Sequence, residues 1–271
     1  MKVYFQSNNR LWYYNAMTED GGELLSYGEV VKSKEKDNTQ WKFREEKDLQ
    51  NARFTREVPL KGGTNQVIVV TLDNGGKGIF KPVSGEWTQR EFVDIGTYYL
   101  RDRAAFLVDR TLNFGLVPTT VVHNAEGKVG SLQEYILDAK MSWHVDQGEY
   151  SSLLHKLWIF DQIIWNSDRN YTNILYKENN IFAIDNALTF GPDEINRYGN
   201  YFGIDVSEDV VRKIASFAEN EQKQAELSEH LLELLSEDEV VACFNRIKHI
   251  STLLQSQGSI LGEEEIVYNP M

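Results

Sequence analysis

The feature that most constrains the fold is a polar loop at residues 165–173. A second short segment, 183–186, follows it and ends in an Asp-Asn pair. Together they place Asp168, then Asn173 five positions on, then Asp185 twelve positions further. In a nucleotide-dependent phosphotransferase, one carboxylate orients the attacking hydroxyl, while an amide and a second carboxylate hold Mg²⁺ against the phosphates. The spacing therefore predicts a cleft that gathers these three side chains and the transfer of a phosphoryl or related group from ATP.

The sequence on both sides of this loop favours a supported site over a plain polar turn. Before the loop, the sequence has the spacing of one helix face (i, i+3, i+4, i+7 and onward). The residues at these positions are Leu154, Leu157, Trp158, Asp161 and Trp165. A helix packed along that face would deliver Asp168 on a rigid support. Downstream, residues 174–176 and 181–184 indicate two short strands, with Asp185 directly after the second. A strand-end Asp that faces Asn173 can share Mg²⁺, which prefers oxygen ligands and substrate phosphates.

The loop contains one further charged candidate. Arg169 either supports the loop or neutralises phosphate charge, and it is grouped with Asp168 as a candidate catalytic residue. Asp168 is the candidate for accepting the proton of the acceptor hydroxyl, which requires hydrogen-bond reach.

Upstream segments supply the phosphate-binding half of the predicted site. Residues 67–72 and 78–81 indicate a hairpin across an Asp-Asn-Gly-Gly turn, and Lys81 closes the second strand. A Lys at the end of an apolar strand can direct a compact charge at the α- and β-phosphates. The segment before the hairpin is rich in glycine, which lets backbone N–H groups approach phosphate. Its candidate nucleotide-binding residues are Gly62, Gly63, Thr64 and Asn65.

A lysine in this role requires a carboxylate partner from the helix that follows. The pattern predicts a helix over 87–112 with a possible break near Gly96. Glu91 and Asp102 are the candidate partners of Lys81, with Glu86 a third. At the end of a later strand, backbone groups at the lobe junction are candidates for hydrogen bonds to adenine. They belong to Gln133, Glu134 and Tyr135.

The order of elements predicts an α+β fold of two lobes. Strands with one helix come first, and helices dominate from about residue 150; Ser236 and Glu239 form a capping box that opens the last of them. We expect an N-terminal extension (1–58) packed on a small mixed β/α lobe (59–137), then a mostly helical lobe (138–271). The cleft between two such lobes is a usual place for a nucleotide.

Composition excludes several function classes. The net charge of −13 argues against a nucleic-acid binder and against docking on anionic lipid, since both use positive surfaces. A single cysteine, Cys243, cannot form an intrachain disulfide and fits a reducing compartment. Acidic residues near the N-terminus and the absence of a membrane-length apolar run predict a cytoplasmic protein without a signal peptide or membrane span. The oligomeric state stays open.

Five segments resemble the phosphatidylinositol-kinase-like and HipA-type branch of the kinase superfamily. They are 78–82, 112–120, 131–134, 165–173 and 183–186, and the resemblance extends from about residue 60 to about residue 191. It implies a two-lobed protein-kinase-like fold that uses ATP and Mg²⁺ in the cleft. It also implies roles for four residues: Asp168 as the catalytic Asp, Asn173 and Asp185 as metal ligands, and Lys81 on phosphate.

The chain departs from that branch at two positions. The family usually has His after Asp-Arg, where this chain has Asn170, and Asp102 stands where a Glu is usual. The leading hypothesis is an ATP- and Mg²⁺-dependent kinase with a protein hydroxyl as the acceptor. Two alternatives stay open: a pseudokinase that binds and regulates a partner, and a kinase-fold enzyme that transfers AMP instead of phosphate.

Overall fold

The computed structural model describes residues 3–7, 10–14, 43–62, 64–87, 92–192 and 206–257. The strands are β1 (Val3–Ser7), β2 (Arg10–Tyr14), β3 (Phe54–Leu60), β4 (Val67–Leu72), β5 (Lys77–Pro82), β6 (Thr120–Ala125), β7 (Lys128–Glu134), β8 (Lys140–Met141), β9 (Ile174–Lys177) and β10 (Asn180–Ala183). The helices are α1 (Glu46–Gln50), α2 (Tyr98–Leu112), α3 (Ser151–Ile163), α4 (Glu208–Ala218), α5 (Glu221–Leu232) and α6 (Glu237–Gln257). Together they form an α+β fold in which a sheet-rich part precedes a helical part. Within the described ranges, no helix combines the length and the apolar character that crossing a membrane requires.

An antiparallel five-stranded sheet forms the first part, in the order β3-β4-β5-β7-β6. In β4, half-buried and buried residues alternate, so that Ile68, Val70 and Leu72 share the core face. Phe80 of β5 lies in the same core. The β4–β5 hairpin confirms the predicted turn, since Gly75 adopts φ +81°, a conformation that glycine reaches without steric cost.

The helix α2 starts later than its sequence pattern predicted. The expected span of 87–112 is wrong at its beginning, because α2 begins at Tyr98. Gly96 has φ +94°, which interrupts any helix that would run through it. The carboxylate of Glu86 accepts hydrogen bonds from the backbone N–H groups of Gly96 and Tyr99 and so caps the helix from outside. The predicted break is therefore the start of the helix.

The helical part encloses the larger core. Buried residues of α3, α4, α5 and α6 form one cluster, and α2 contributes Ala104, Ala105 and Val108 to it. The other side of α2 contacts β6 and β7, so this helix lies between the sheet and the helical part. The predicted capping box is confirmed: the backbone N–H of Ser236 donates to Glu239 Oε2 at 2.9 Å, and that of Glu239 donates to Ser236 Oγ at 3.4 Å.

A second small sheet carries the segment around the polar loop. It has the order β10-β9-β8, with both pairs antiparallel. The two predicted strands are present as β9 and β10, although β10 ends at Ala183, so Asp185 follows the strand by two residues rather than directly. The expected boundary after residue 58 falls inside β3, because Phe54–Leu60 is one continuous strand of the large sheet.

Candidate active site

A cleft of about 120 Å³ lies where the large sheet meets the helical part. Its walls include Thr64 and Asn65 before β4, Lys81 of β5, and the two acidic residues Asp168 and Asp185. These residues come from distant parts of the chain, and the fold brings them to one place. The cleft is smaller than a typical ligand pocket of roughly 300–1,000 Å³. It therefore matches the phosphate end of a nucleotide better than a whole nucleotide.

Lys81 is the charge centre of the cleft. Its Nζ lies 2.9 Å from Asp185 Oδ1 and 3.1 Å from Asp102 Oδ2. Burial by itself opposes a charged lysine, but the two carboxylates outweigh that effect and raise the pKa of Lys81. The ammonium group is therefore held in its charged form, which is the form that can attract an anion.

Asp102 is the carboxylate from α2 that pairs with Lys81. Besides Lys81, it accepts a hydrogen bond from Ser131 Oγ at 3.1 Å and another from the backbone N–H of Asn186 at 2.9 Å. Of the other two candidate partners, Glu86 is engaged in capping α2, and Glu91 lies outside the described residues. The shorter side chain of Asp thus reaches the lysine and is satisfied on both oxygens.

Asp168 lies on a loop that its neighbours fix through the backbone. Its N–H donates to Asn166 Oδ1 at 2.9 Å, and its carbonyl accepts from Asn173 Nδ2 and from Asn170 Nδ2, both at 3.0 Å. The side chain of Asp168 is exposed and lines the cleft. A carboxylate on a braced loop at a cleft wall is suited to accept a proton from a bound hydroxyl.

Arg169 fits the loop-support alternative. Its side chain is 3% exposed, and its Nε lies 3.0 Å from a carboxylate oxygen of Asp161, whose side chain is fully buried. A second nitrogen, Nη1, donates to the carbonyls of Asn173 and Ile184 at 3.1 and 2.7 Å. Burial raises the pKa of Asp161, and the adjacent Arg169 acts in the opposite direction. The side chain is committed to protein acceptors, so the geometry gives no support to a role on phosphate.

Asp185 has the conformation and exposure expected of a ligand-binding carboxylate. It adopts φ +57°, an uncommon value for a residue with a side chain, which Asp tolerates better than most. Its side chain is 52% exposed, and the charge of Lys81 lowers its pKa. The carboxylate is therefore ionised and open to a cation on the side away from Lys81.

The donor set fits a hard cation held partly by substrate. In the described part of the chain, no group of three or more His, Cys, Asp or Glu side chains could hold a metal ion alone. Mg²⁺ is typically held by one or two carboxylates together with substrate phosphates and water. The carboxylate of Asp185 and the amide oxygen of Asn173 are oxygen donors of that kind. Asp185 lines the cleft, whereas Asn173 is buried, is not among the described residues that line it, and is anchored on the Asp168 loop through its Nδ2.

The glycine-rich segment reaches the cleft through its polar residues. Gly62 adopts φ +110°, Thr64 and Asn65 line the cleft, and Gly63 lies outside the described residues. Asn65 Oδ1 accepts from the backbone N–H of Trp87 at 3.0 Å, which ties the segment to the turn after β5. Thr64 and Asn65 thus line the same cleft as Lys81.

The end of β7 is not gathered into this cleft. Gln133 Nε2 donates to Thr120 Oγ1 at 2.9 Å. The N–H groups of Glu134 and Tyr135 are used by backbone carbonyls at 2.8 and 3.3 Å. Among the described residues that line the cleft, none of these three is included. The Glu134 carboxylate instead accepts from the backbone N–H of Arg44, and burial raises its pKa to about 7.

Comparisons with known proteins place this fold. No protein-family model matches the sequence, and a comparison with curated proteins gives no match. Among solved structures, hydra Fam20 with sugar aligns with a TM-score of 0.57 at 18% identity, over 78% of this chain and 87% of that one. The Golgi casein kinase with Mn/ADP bound aligns with a TM-score of 0.57 at 15% identity, over 82% of this chain and 79% of that one. The predicted two-lobed, protein-kinase-like fold is therefore confirmed.

Proposed function

We propose that this chain is an ATP- and Mg²⁺-dependent kinase that transfers the γ-phosphoryl group to a hydroxyl. The observation that carries the proposal is the joint position of Lys81, Asp102, Asp168 and Asp185, which come from four separate segments and meet at one cleft. A protein-kinase-like fold can be retained for other purposes, but a scaffold has no need of this set of charges.

Each of these residues has a separate role in the proposed phosphoryl transfer. Lys81, held in place by Asp102, binds the phosphates, and Asp168 accepts the proton of the attacking hydroxyl. The hydroxyl oxygen bonds to the γ-phosphorus as the bond to the bridging oxygen breaks, and ADP leaves. Asn173 and Asp185 would hold the metal ion, which neutralises charge on the phosphates when it is bound. Arg169 stabilises the Asp168 loop through its buried contacts with Asp161 and with the carbonyls of Asn173 and Ile184.

The acceptor that we favour is a protein hydroxyl. HipA-type kinases, which the sequence resembles, act on proteins, and the net charge of −13 makes an anionic lipid surface a poor partner. The Golgi casein kinase has Mn/ADP bound in its structure, which accords with use of a nucleotide and a divalent metal. Membership of the HipA-type branch and a cytoplasmic location stay predictions.

Radiolabelled ATP tests the proposal directly. The wild-type chain is incubated with Mg²⁺ and ATP labelled either at the γ- or at the α-phosphate, in parallel with Asp168→Ala and with Mn²⁺ as a second metal. We expect label from the γ-position in the protein or an added protein acceptor, and loss of that label in Asp168→Ala. Equal labelling by wild type and Asp168→Ala would remove the catalytic assignment.

The same experiment separates the alternatives. Incorporation of label from the α-position indicates transfer of AMP in place of phosphate. A thermal shift on adding Mg²⁺ and ATP without any transfer indicates a nucleotide-binding pseudokinase. A chain that neither binds nor turns over ATP refutes the proposal altogether.

A further inference from the structure

Two large aromatic side chains are exposed beside the Asp168 loop. Trp143 follows β8 and is 42% exposed, and Tyr171 lies in the loop itself and is 38% exposed. Their ring centroids are 6.1 Å apart in an edge-to-face arrangement, and the ring of His144 lies 5.8 Å from that of Trp143. Exposed aromatic side chains grouped in this way mark interaction sites more often than scattered apolar residues do.

The position of these rings is fixed by the polar contacts beneath them. Ser142 is buried, and its Oγ donates to the carbonyl of Tyr171 at 3.2 Å, which joins the β8 segment to the loop. On the other side, Asn170 Oδ1 accepts from the N–H of Thr172 at 2.9 Å while its Nδ2 holds the carbonyl of Asp168. The aromatic pair and the proposed catalytic carboxylate therefore belong to one braced unit.

The exposed charges on the two chain segments that carry the rings are mainly negative. Asp146 and Glu149 follow Trp143 on the same segment and are exposed, as is Asp168, while Lys140 is the exposed cation that precedes it. The charge of Arg169 is buried against Asp161 and faces away from solvent. The net charge of the whole chain is also −13. An aromatic surface within a negative field favours a cation, because guanidinium and ammonium groups bind over aromatic faces.

We propose that Trp143 and Tyr171 form the acceptor-docking surface of this site, and that they take a basic segment of a protein. This inference rests on the proposed kinase function, since it places the accepting hydroxyl at Asp168. Tyr171 is three residues from Asp168, which spans at most roughly 11 Å of extended chain. A side chain two or three residues from the accepting Ser or Thr covers that distance, so the preferred acceptor carries Arg or Lys there.

Binding of labelled peptides tests this surface without requiring turnover. Fluorescence anisotropy with the full chain compares three peptides that share one Ser and differ three residues away, with Arg, Leu or Glu at that position. We expect the Arg peptide to bind tightest and the Glu peptide weakest, with the difference reduced by added salt. Equal binding of the Arg and Glu peptides overturns the assignment of a basic partner.

Variants locate the effect on the rings. Trp143→Ala should weaken the Arg peptide by roughly twofold to thirtyfold, the range of a cation–π contact from exposed to desolvated. Trp143→Phe keeps a ring and should retain most of the affinity. Leu232→Ala, which removes a similarly exposed apolar side chain on α5, is the matched control and should leave the affinity for the Arg peptide unchanged. If Trp143→Ala binds the Arg peptide as wild type does, the docking surface is refuted.

The outcomes also distinguish this inference from the kinase proposal. Trp143-dependent peptide binding without any ATP turnover keeps the surface and removes the kinase function. Turnover of ATP with no use of the basic peptides keeps the kinase function and refutes the basic acceptor. Trp143-dependent binding of a neutral disaccharide, without binding of the Arg peptide, indicates a carbohydrate acceptor instead and overturns the proposal.

Discussion

Replacing Asp161 by alanine is expected to destabilise the fold severely and to abolish phosphate transfer, because Arg169 loses the partner that holds it under the Asp168 loop. The change leaves the guanidinium of Arg169 buried without the carboxylate that it contacts at 3.0 Å. Both side chains are shielded from water, so solvent does not screen the loss, and breaking one partner of such a pair costs about 3–5 kcal/mol. For a chain of this size each kcal/mol lowers the melting temperature by roughly 2–4 °C, so we expect a fall of roughly 6–20 °C.

A paired variant separates stability from function. Replacing both members with apolar residues, Asp161→Leu with Arg169→Met, removes the uncompensated charge and should restore much of the melting temperature. It should not restore transfer of phosphate, because the bonds from Arg169 to the carbonyls of Asn173 and Ile184 are still missing. Thermal unfolding and γ-phosphate labelling are measured on the same samples. A fall of less than about 1 °C for Asp161→Ala refutes the reasoning.

Three further predictions concern the large sheet and the cleft. In Gly130→Ala the new Cβ would clash with the carbonyl oxygen of Lys81, so we expect the free energy of unfolding to fall by about 1–3 kcal/mol, together with weaker ATP binding. Asp185→Asn keeps a side chain that tolerates φ +57° and loses its charge, so the thermal shift with Mg²⁺ and ATP should disappear. The melting temperature without ligand should fall only modestly, because the ion pair with Lys81 is lost but Asp102 still pairs with that lysine; an undiminished shift contradicts the metal assignment. Burial raises the pKa of Glu134 from 4.5 to about 7, so the folded protein retains that proton and loses stability as the pH rises through this interval, by up to about 3 kcal/mol. Glu134→Gln should lack that loss, and parallel pH–stability curves for wild type and variant would contradict it.

Short sequence patterns were sufficient to predict those elements that form through contacts between residues close in sequence. The β4–β5 hairpin follows from alternation of apolar residues and a turn that needs glycine, and the structure has it. The capping box of Ser236 and Glu239 depends on a spacing of three residues and is likewise confirmed. The strands β9 and β10 were also predictable, with errors of one residue at the end of β9 and at both ends of β10.

The choice of a partner for Lys81 could not be made from sequence. It depends on where α2 begins, and that point is set by the left-handed Gly96 and by the carboxylate of Glu86, which reaches across ten residues to cap the helix. With α2 beginning at Tyr98, Asp102 faces Lys81. Its other two contacts come from Ser131 and the backbone of Asn186, at sequence separations of 29 and 84. No periodicity encodes contacts of that range.

The role of Arg169 was ambiguous for a different reason, and one signal bore on it. A cation beside a catalytic Asp can serve phosphate or a buried carboxylate, and its charge does not distinguish them. Asp161, however, lies among the apolar positions of α3, where an ionised carboxylate is costly unless a cation is paired with it. A carboxylate on an apolar helix face eight residues before an arginine therefore indicated a structural pair.

The two departures from the resembling kinase branch are each compensated within the structure. The side-chain amide of Asn170 accepts a hydrogen bond from the backbone N–H of Thr172 and donates one to the carbonyl of Asp168. These two bonds stabilise the loop although the usual His is absent. Asp102 lacks one methylene of a Glu, and Ser131 donates to the same carboxylate oxygen that lies 3.1 Å from Lys81. A scaffold under no chemical demand would have no need of such compensation at two points that both converge on the cleft. The pattern therefore favours a working phosphotransferase over a pseudokinase, and the Asp168→Ala comparison decides between them.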